Sequence, residues 1–380
     1  NYHEIDLLVK LLAEIAETVG KDHIAAISFG GAPMDFSFEK NVGAILHMYL
    51  GGQAVGESVA DLISGEVNPS GKLAETIPFS EKDTPAWRYF APPNDDVEYR
   101  ESIFVGYRYY ETFHVPVKYP FGYGLSYTSF SYSELNVPEV YSGGKIQIRF
   151  KIKNIGKVSG AEIAQLYVCP NESDVIRSHI ELKGFQKIYL HPGEEKEVIL
   201  ELDERSFSVY DVEKKAFSML SGKYQICIGA SVHDLQLKAN MEVVGNSYFR
   251  NERELFPDYF REQPHGMEIS AEQFYQLLGG EPKHDKEKKR GEYTVYDSYQ
   301  DVVNVSMFGK FVRGVVHIGL KIILRGKSER DPAFKMVKMG VEEGNLEGLI
   351  ATSGGIATPK LIDMLVYNAN KKYLQAVKRL

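Results

Sequence analysis

Glu98, Glu101 and Glu111 lie close together in an aromatic-rich stretch and could supply acid–base chemistry. Glycoside hydrolysis uses two carboxyl groups that face one sugar bond, and one of the two has a raised pKa. Arg100 and Arg108 occupy the same stretch, so an ion pair with one of the glutamates is the competing interpretation, and we favour it. Among these residues Glu101 is kept as the weak candidate for a catalytic role.

A second candidate is the turn formed by Gly51, Gly52 and Gly56, which follows a predicted strand and opens a predicted helix. Free backbone N–H groups at such a helix start attract phosphate or dinucleotide ligands. The spacing is not G-x-G-x-x-G, however, and no complete βαβ nucleotide unit is present. The favoured interpretation is a tight turn that allows close packing of helix and sheet.

Other catalytic and metal-binding motifs are absent from the sequence. It contains no H-E-x-x-H, C-x-x-C or G-x-S-x-G, and its 10 histidines are scattered. Cys169 and Cys227 are the 2 cysteines, which do not amount to a disulfide framework. The spacing of these residues therefore gives no support for a metal site.

Composition and charge narrow the class of protein. The chain has 380 residues, 43% of them hydrophobic and 25% charged, which is ordinary for a globular protein of two or three domains. A net charge of −8 argues against a nucleic-acid-binding protein. The chain begins at Asn1 without a basic segment and apolar core of a secretory signal, so we expect a cytoplasmic location and an excerpt of a longer protein.

Residues 1–80 show the alternation of helices and strands that is typical of an α/β layer with parallel strands. Apolar residues at helical spacing predict a helix over 4–19, and β-rich apolar runs predict strands at 23–29 and 44–50. A further helix is predicted over 53–63 and a third strand over 73–77. Because this set is small for such a sheet, further strands are expected from elsewhere.

The spacing of apolar residues changes in the next two regions. Residues 81–130 are rich in Pro, Tyr, Phe and Gly without clear periodicity, and predict a long irregular connection. Residues 131–245 alternate apolar and polar side chains between turn clusters, which predicts an antiparallel β-sandwich. Its strands are expected at 145–153, 162–168, 182–190, 196–202, 223–229 and 235–243.

The last part of the chain is predicted to be a charged linker over 246–300 and a helical extension over 301–380. The basic run 283–290 indicates a solvated segment. A helix over 308–324 would carry Lys310, Arg313, His317 and Lys321 on one face, beside an apolar stripe. That stripe could lie on a membrane, but docking on its own protein is favoured, and the polar residues exclude a transmembrane span.

Several long motifs resemble the C-terminal portion of family-three glycoside hydrolases of the β-glucosidase type. Residues 41–46, 51–62 and 68–78 resemble the end of the family's α/β sandwich domain, and 103–110 with 119–128 resemble the connection that follows. The family's fibronectin type III-like domain is resembled by residues 181–187, 190–194 and 221–231. More loosely, Ser353-Gly-Gly355 and the helix after it resemble an extension of some bacterial members.

The resemblance implies a fold of α/β plus all-β class: a truncated α/β sandwich layer, an antiparallel fibronectin type III-like β-sandwich and a helical tail. It also implies retaining hydrolysis of β-linked glucosides or related sugars, without a cofactor. In this family an Asp on an N-terminal TIM barrel is the nucleophile. The acid/base Glu lies in an E-x-E-x-x-D-R-like stretch, shortly before the helix that here begins near Asn1.

Neither family position has a counterpart in this sequence, so no catalytic residue is carried over. We therefore expect the chain to be the C-terminal part of such an enzyme, inactive without the missing TIM barrel. Its expected partners are that barrel and a carbohydrate substrate, with no nucleic acid and no membrane. The alternative is a non-catalytic carbohydrate-binding or scaffolding protein built from the same domains.

Overall fold

The structure, a computed structural model, divides into two compact units: residues 8–282, here called the main unit, and residues 283–380 with residues 1–7, called the tail unit. It describes residues 17, 20–23, 25–28, 37–90, 97–171, 173–245, 251–282, 288–323, 332–353 and 355–378.

The main unit begins with a parallel pair of strands, as the sequence predicts. Strand β1 (Ala25–Ser28) pairs with β2 (Ala44–His47), and helix α1 (Val55–Ser64) follows. The helix ends at Gly65, whose φ of 80° is the left-handed conformation that glycine adopts readily. The helix predicted over 4–19 lies almost entirely outside the described residues.

The prediction of a third strand of the parallel layer over 73–77 is wrong. Strand β3 (Ile77–Pro78) instead pairs antiparallel with β4 (Val117–Tyr119), which follows helix α2 (Tyr107–Thr112) in the connection. Leu73 exchanges backbone hydrogen bonds with Gly122 and Tyr123. This stretch therefore finds its partners in the connection, because backbone groups must be paired and the connection lies beside it.

Residues 130–243 form a β-sandwich, and all six predicted strands are found. Its strands are β5 (Phe130–Asn136), β6 (Val140–Tyr141), β7 (Ile146–Asn154), β8 (Gly160–Pro170), β9 (Glu181–Leu190), β10 (Glu195–Leu202), β11 (Ser208–Asp211), β12 (Ala216–Met219), β13 (Gly222–Gly229) and β14 (Leu235–Val243). One sheet has the order β10-β7-β5 and the other β6-β14-β13-β8-β9, while β11 and β12 form a hairpin. All pairs in these sheets are antiparallel except the two-residue pair of β6 with β14.

The sandwich core follows from the period-two pattern. On β7, Ile148, Phe150 and Ile152 are buried, whereas the intervening side chains are only partly buried. They belong to one apolar cluster with residues of the opposite sheet, such as Leu166 and Ile226. This face-to-face burial is the main source of the domain's stability.

Residues 251–282 differ from the expectation of a charged linker. They contain helices α3 (Glu252–Leu255) and α4 (Ala271–Leu278), and the segment between them is packed rather than solvated. Phe256 and Tyr259 are almost fully buried in one cluster with Tyr109 of helix α2. The apolar side chains scattered among the charges explain the difference, because they bury against the aromatic connection.

The tail unit is helical, as predicted. Its helices are α5 (Tyr299–Asn304), α6 (Met307–Ile323), α7 (Pro332–Glu342), α8 (Leu346–Thr352), α9 (Pro359–Ala369) and α10 (Tyr373–Val377). Their core includes Val302, Val312, Leu346 and Leu365. Within the described ranges, no helix combines the length and apolar character needed to cross a bilayer.

Helix α6 packs through a different stripe from the one expected to dock. Val312 and Val316 face the tail core, whereas Phe311, Val315 and Ile318 are at least half exposed. Within the tail unit, the predicted stripe is therefore not the one that packs. The helix carries two apolar stripes, and the tail core covers one of them.

Candidate functional site

Glu101, the candidate catalytic residue, is buried at the base of the aromatic connection. Glu101 is 3% exposed, and its Oε2 atom has no hydrogen-bond partner among the described residues. Burial raises the pKa of this carboxyl group. A carboxyl group that keeps its proton is what a general acid needs, but a second carboxylate must face the same sugar bond.

Glu98 forms the ion pair that the competing interpretation favours. Its Oε2 atom accepts hydrogen bonds from Arg100 Nε at 2.6 Å and Nη2 at 2.5 Å, and the Tyr275 hydroxyl donates to Oε1 at 2.7 Å. The Arg100 guanidinium also lies over the Tyr89 ring, 4.5 Å from its centroid. Glu98 and Arg100 therefore join the connection to helix α4, which is a structural role.

Glu111 has a different partner, at the sandwich. Its carboxylate lies 2.7 Å from His233 Nε2, in the loop between β13 and β14. Burial raises the pKa of Glu111, and the neighbouring His233 opposes that shift. The three glutamates that the sequence groups together thus occupy three separate environments.

A cleft of about 620 Å³ lies beside Glu111 on the outer face of the five-stranded sheet. Cys169 and Cys227 line it, with their sulfur atoms 3.8 Å apart, and His179 lies at its edge. Among the described residues no group of three His, Cys, Asp or Glu could hold a metal ion. The cleft therefore offers two thiols, an imidazole, the Glu111 carboxylate and two lysines, Lys223 and Lys238, without an evident catalytic arrangement.

The glycine turn before helix α1 has the tight geometry that was favoured for it. Gly52 has a φ of 69°, and a Cβ atom on Gly51 would lie 2.3 Å from the Val55 side chain. Position 52 thus favours glycine because of its backbone conformation, and a larger residue at position 51 would clash with the Val55 side chain. Ligand binding at this turn stays without structural support.

Sequence reasoning missed the joint between the α/β segment and the sandwich, which is held by several polar contacts. Lys72 Nζ lies 2.9 Å from Glu162 Oε1 on β8, and it donates to the Gly124 carbonyl oxygen at 3.1 Å. The Asn68 side chain donates to the Ser159 carbonyl oxygen at 3.1 Å. Two of the motifs that resemble the family, 68–78 and 119–128, meet here. Their presence in one sequence was the signal from which this contact could have been predicted.

The connection also exposes large apolar side chains. Phe90 and Tyr99 are more than 70% exposed, and the exposed set also includes Trp87, Leu125 and Tyr127. Concentration of exposed aromatic residues in one segment is typical of a surface that contacts another domain or a ligand. The main unit thus combines a well-packed sandwich with an exposed aromatic connection.

The main unit joins an α/β segment, an aromatic connection and a β-sandwich in this order. Two family models match the chain. The glycosyl hydrolase family 3 C-terminal domain matches residues 6–127, and the fibronectin type III-like domain matches residues 162–232. The chain therefore carries a glycosyl hydrolase family 3 C-terminal domain and a fibronectin type III-like domain.

Curated relatives support this assignment over part of their length. Thermostable beta-glucosidase B of Acetivibrio thermocellus is 44% identical over 236 residues, which is 62% of this chain and 31% of that protein. An exo-alpha-(1->6)-L-arabinopyranosidase of Bifidobacterium breve is 36% identical over 238 residues, 63% of this chain and 31% of that protein. The chain thus spans about a third of the relatives it matches.

Solved structures agree. A GH3 beta-glucosidase of Bifidobacterium adolescentis superposes with a TM-score of 0.60 at 35% identity, covering 63% of this chain and 35% of that one. Beta-glucosidase 3B of Thermotoga neapolitana, in complex with alpha-D-glucose, gives a TM-score of 0.59 at 35% identity, with 64% and 34% covered. The predicted fold class and family are therefore confirmed.

Proposed function

We propose that this chain is the C-terminal part of a retaining β-glucosidase-type hydrolase that acts on β-linked glucosides or related sugars. The observation that carries the proposal is the 44% identity over 236 residues to a thermostable beta-glucosidase. The sugar stays broad, because a relative of similar coverage is an arabinopyranosidase. Nucleophile and acid/base carboxylates would come from a TIM barrel outside these residues.

The geometry of the three glutamates supports the proposal that the catalytic carboxylates lie outside these residues. Glu98 is held in an ion pair with Arg100, Glu111 lies 2.7 Å from His233 Nε2, and Glu101 is buried. A retaining mechanism needs two carboxyl groups about 5 Å apart on opposite sides of a sugar bond. The described contacts show no such pair among these three residues, so the chain alone is expected to be inactive.

The exposed aromatic connection would contact the catalytic barrel. Its side chains are too apolar and too concentrated to be an ordinary solvated loop. The joint at Lys72 and Glu162 fixes this connection relative to the sandwich, so the sandwich supports the connection. The chain would then supply structural support for an active site whose carboxylates lie elsewhere.

An aryl β-glucoside assay of the purified 380-residue chain tests the proposed inactivity. We expect no turnover above that of a Glu101→Gln variant, which controls for a contribution from the weak candidate. Turnover by the native chain that disappears in this variant would place catalysis within these residues.

The alternative of a non-catalytic carbohydrate-binding protein makes a different prediction. It requires the isolated chain to bind glucose or cellobiose, which isothermal titration calorimetry measures directly. Saturable binding without hydrolysis, unaffected by adding a catalytic barrel, would favour this alternative over the proposed enzyme part.

A further inference from the structure

A second cleft, of about 450 Å³, lies within the tail unit between helices α5, α6 and α7. Its walls include Lys310, Arg313 and His317 of α6 and Lys338 of α7. Helix α6 contains no acidic residue between Met307 and Ile323. In a chain with a net charge of −8, this is a local concentration of positive charge.

The cations of this cleft are only partly compensated. Glu342 is the carboxylate among the lining residues, and its Oε2 atom lies 3.8 Å from Lys338 Nζ. Arg313 Nη1 donates to Asn304 Oδ1 at 2.8 Å, which orients the guanidinium without neutralising it. An arginine has five N–H donors, so most of them stay available to a ligand.

A buried hydroxyl group completes the cleft. Tyr299 is 4% exposed, and its hydroxyl has no hydrogen-bond partner among the described residues. Burial raises its pKa to about 12, so the group is a neutral O–H donor at neutral pH. A buried hydroxyl without a partner costs stability, which points to a ligand as the missing acceptor.

We propose that this cleft binds a phosphate group, carried either by a soluble phosphorylated metabolite or by an anionic lipid headgroup. Phosphate oxygens accept several charge-assisted hydrogen bonds at once, and the Arg313 fork suits them geometrically. Lys310 and Lys338 supply point charges on the two sides, and the Tyr299 hydroxyl supplies a neutral donor.

The surface beside the cleft gives a reason to test both sources. Next to the basic face of α6 runs an exposed apolar stripe of five side chains, from 55 to 90% exposed: Met307, Phe311, Val315, Ile318 and Ile322. A basic face beside an apolar stripe is the arrangement found in helices that lie on lipid surfaces. A lipid headgroup could thus enter the cleft while the stripe meets acyl chains.

The experiment uses the full 380-residue chain and three probes: inorganic phosphate, phosphatidylglycerol vesicles and phosphatidylcholine vesicles. Binding is measured by calorimetry for phosphate and by co-sedimentation for vesicles. We expect the double variant Lys310→Gln/Arg313→Gln to weaken binding at least about tenfold. Tyr299→Phe should weaken binding several-fold without lowering the melting temperature, because its hydroxyl makes no internal hydrogen bond.

The matched control is Lys360→Gln/Lys378→Gln, which removes the same charge from exposed positions of the tail that do not line the cleft. This control should bind as the native chain does. Phosphate binding alone assigns a soluble ligand, and phosphatidylglycerol binding assigns a headgroup; either supports the site. Absence of both, equal weakening by the control, or equal binding to phosphatidylcholine would overturn the proposal.

Discussion

Lys72 and Glu162 form an ion pair at 2.9 Å whose side chains are only 12% and 8% exposed. The pair joins the turn after helix α1 to strand β8, so it connects the two domains of the main unit. Removing one partner of a buried pair leaves the other as an uncompensated charge. A substitution at this pair should therefore change the free energy of unfolding strongly, which tests whether the two domains contact each other as described.

Lys72→Met is therefore expected to lower the free energy of unfolding of the main unit by about 3 kcal/mol. The matched control is Lys145→Met, which breaks the Lys145–Glu201 pair, 72% and 52% exposed, and should cost much less, because water screens an exposed pair. Urea unfolding followed by fluorescence of the single tryptophan, Trp87, reports on this unit. Equal losses in the two variants would show that the joint is not buried.

A second prediction concerns the close approach of Gly160 to the joint. A Cβ atom there would lie 2.4 Å from Asn68 Nδ2 and 3.1 Å from Thr128 Cγ2. Gly160→Ala should therefore cost about 1–3 kcal/mol through overpacking. Gly56→Ala in helix α1 has open space around it and should be neutral or stabilise by up to about 1 kcal/mol. A tolerated Gly160→Ala would contradict the described joint.

The third prediction follows from the burial of Glu101. Because burial raises its pKa in the folded state, folding favours the protonated form. Its contribution to stability is thus most favourable below the unfolded-state pKa and is lost as the pH rises through the folded-state pKa. Relative to the native chain, Glu101→Gln should therefore gain stability as the pH rises above about 4, the ordinary pKa range of a glutamate.

Urea unfolding of both proteins at and above that pH measures the difference. Its trend with pH carries the test, since a constant offset from the buried amide cancels. A difference that stays flat, or moves in favour of the native chain at higher pH, would show that the Glu101 carboxyl is solvated.

The fourth prediction assigns residues 251–282 to the main unit. Phe256 is 1% exposed and packs with the aromatic connection, so Phe256→Ala should cost about 3–5 kcal/mol. Its neighbour Leu255 is 39% exposed, and Leu255→Ala should cost about 1 kcal/mol or less. If both variants unfold like the native chain by Trp87 fluorescence, the segment is a detached linker after all.

The sequence predicts local structure well where burial alternates along a strand. The pattern of 145–153 predicts β7 to within one residue at each end, because every second side chain enters the core. Strand β6 is two residues long and too short for a period to show. The stretch 73–77 is apolar enough for a strand, but its partner is the connection, which local pattern does not reveal.

The site could be predicted less well, because its features depend on contacts between distant residues. Lys72 and Glu162 look like surface residues in the sequence, and only the fold brings them into a closed pair. Glu101 and Glu98 have the same chemistry in the sequence, yet one is buried and the other is paired with Arg100. Motif order identifies the family, whereas burial decides what each carboxylate can do.

The central proposal is that this chain supplies the supporting C-terminal part of a β-glucosidase whose catalytic carboxylates lie elsewhere. The most direct test replaces the matched part of thermostable beta-glucosidase B of Acetivibrio thermocellus with residues 1–245 and measures hydrolysis of an aryl β-glucoside. We predict an active chimera, with no activity in the relative truncated before this part or in the isolated chain. A soluble, folded chimera without activity, or turnover by the isolated chain, would contradict the account.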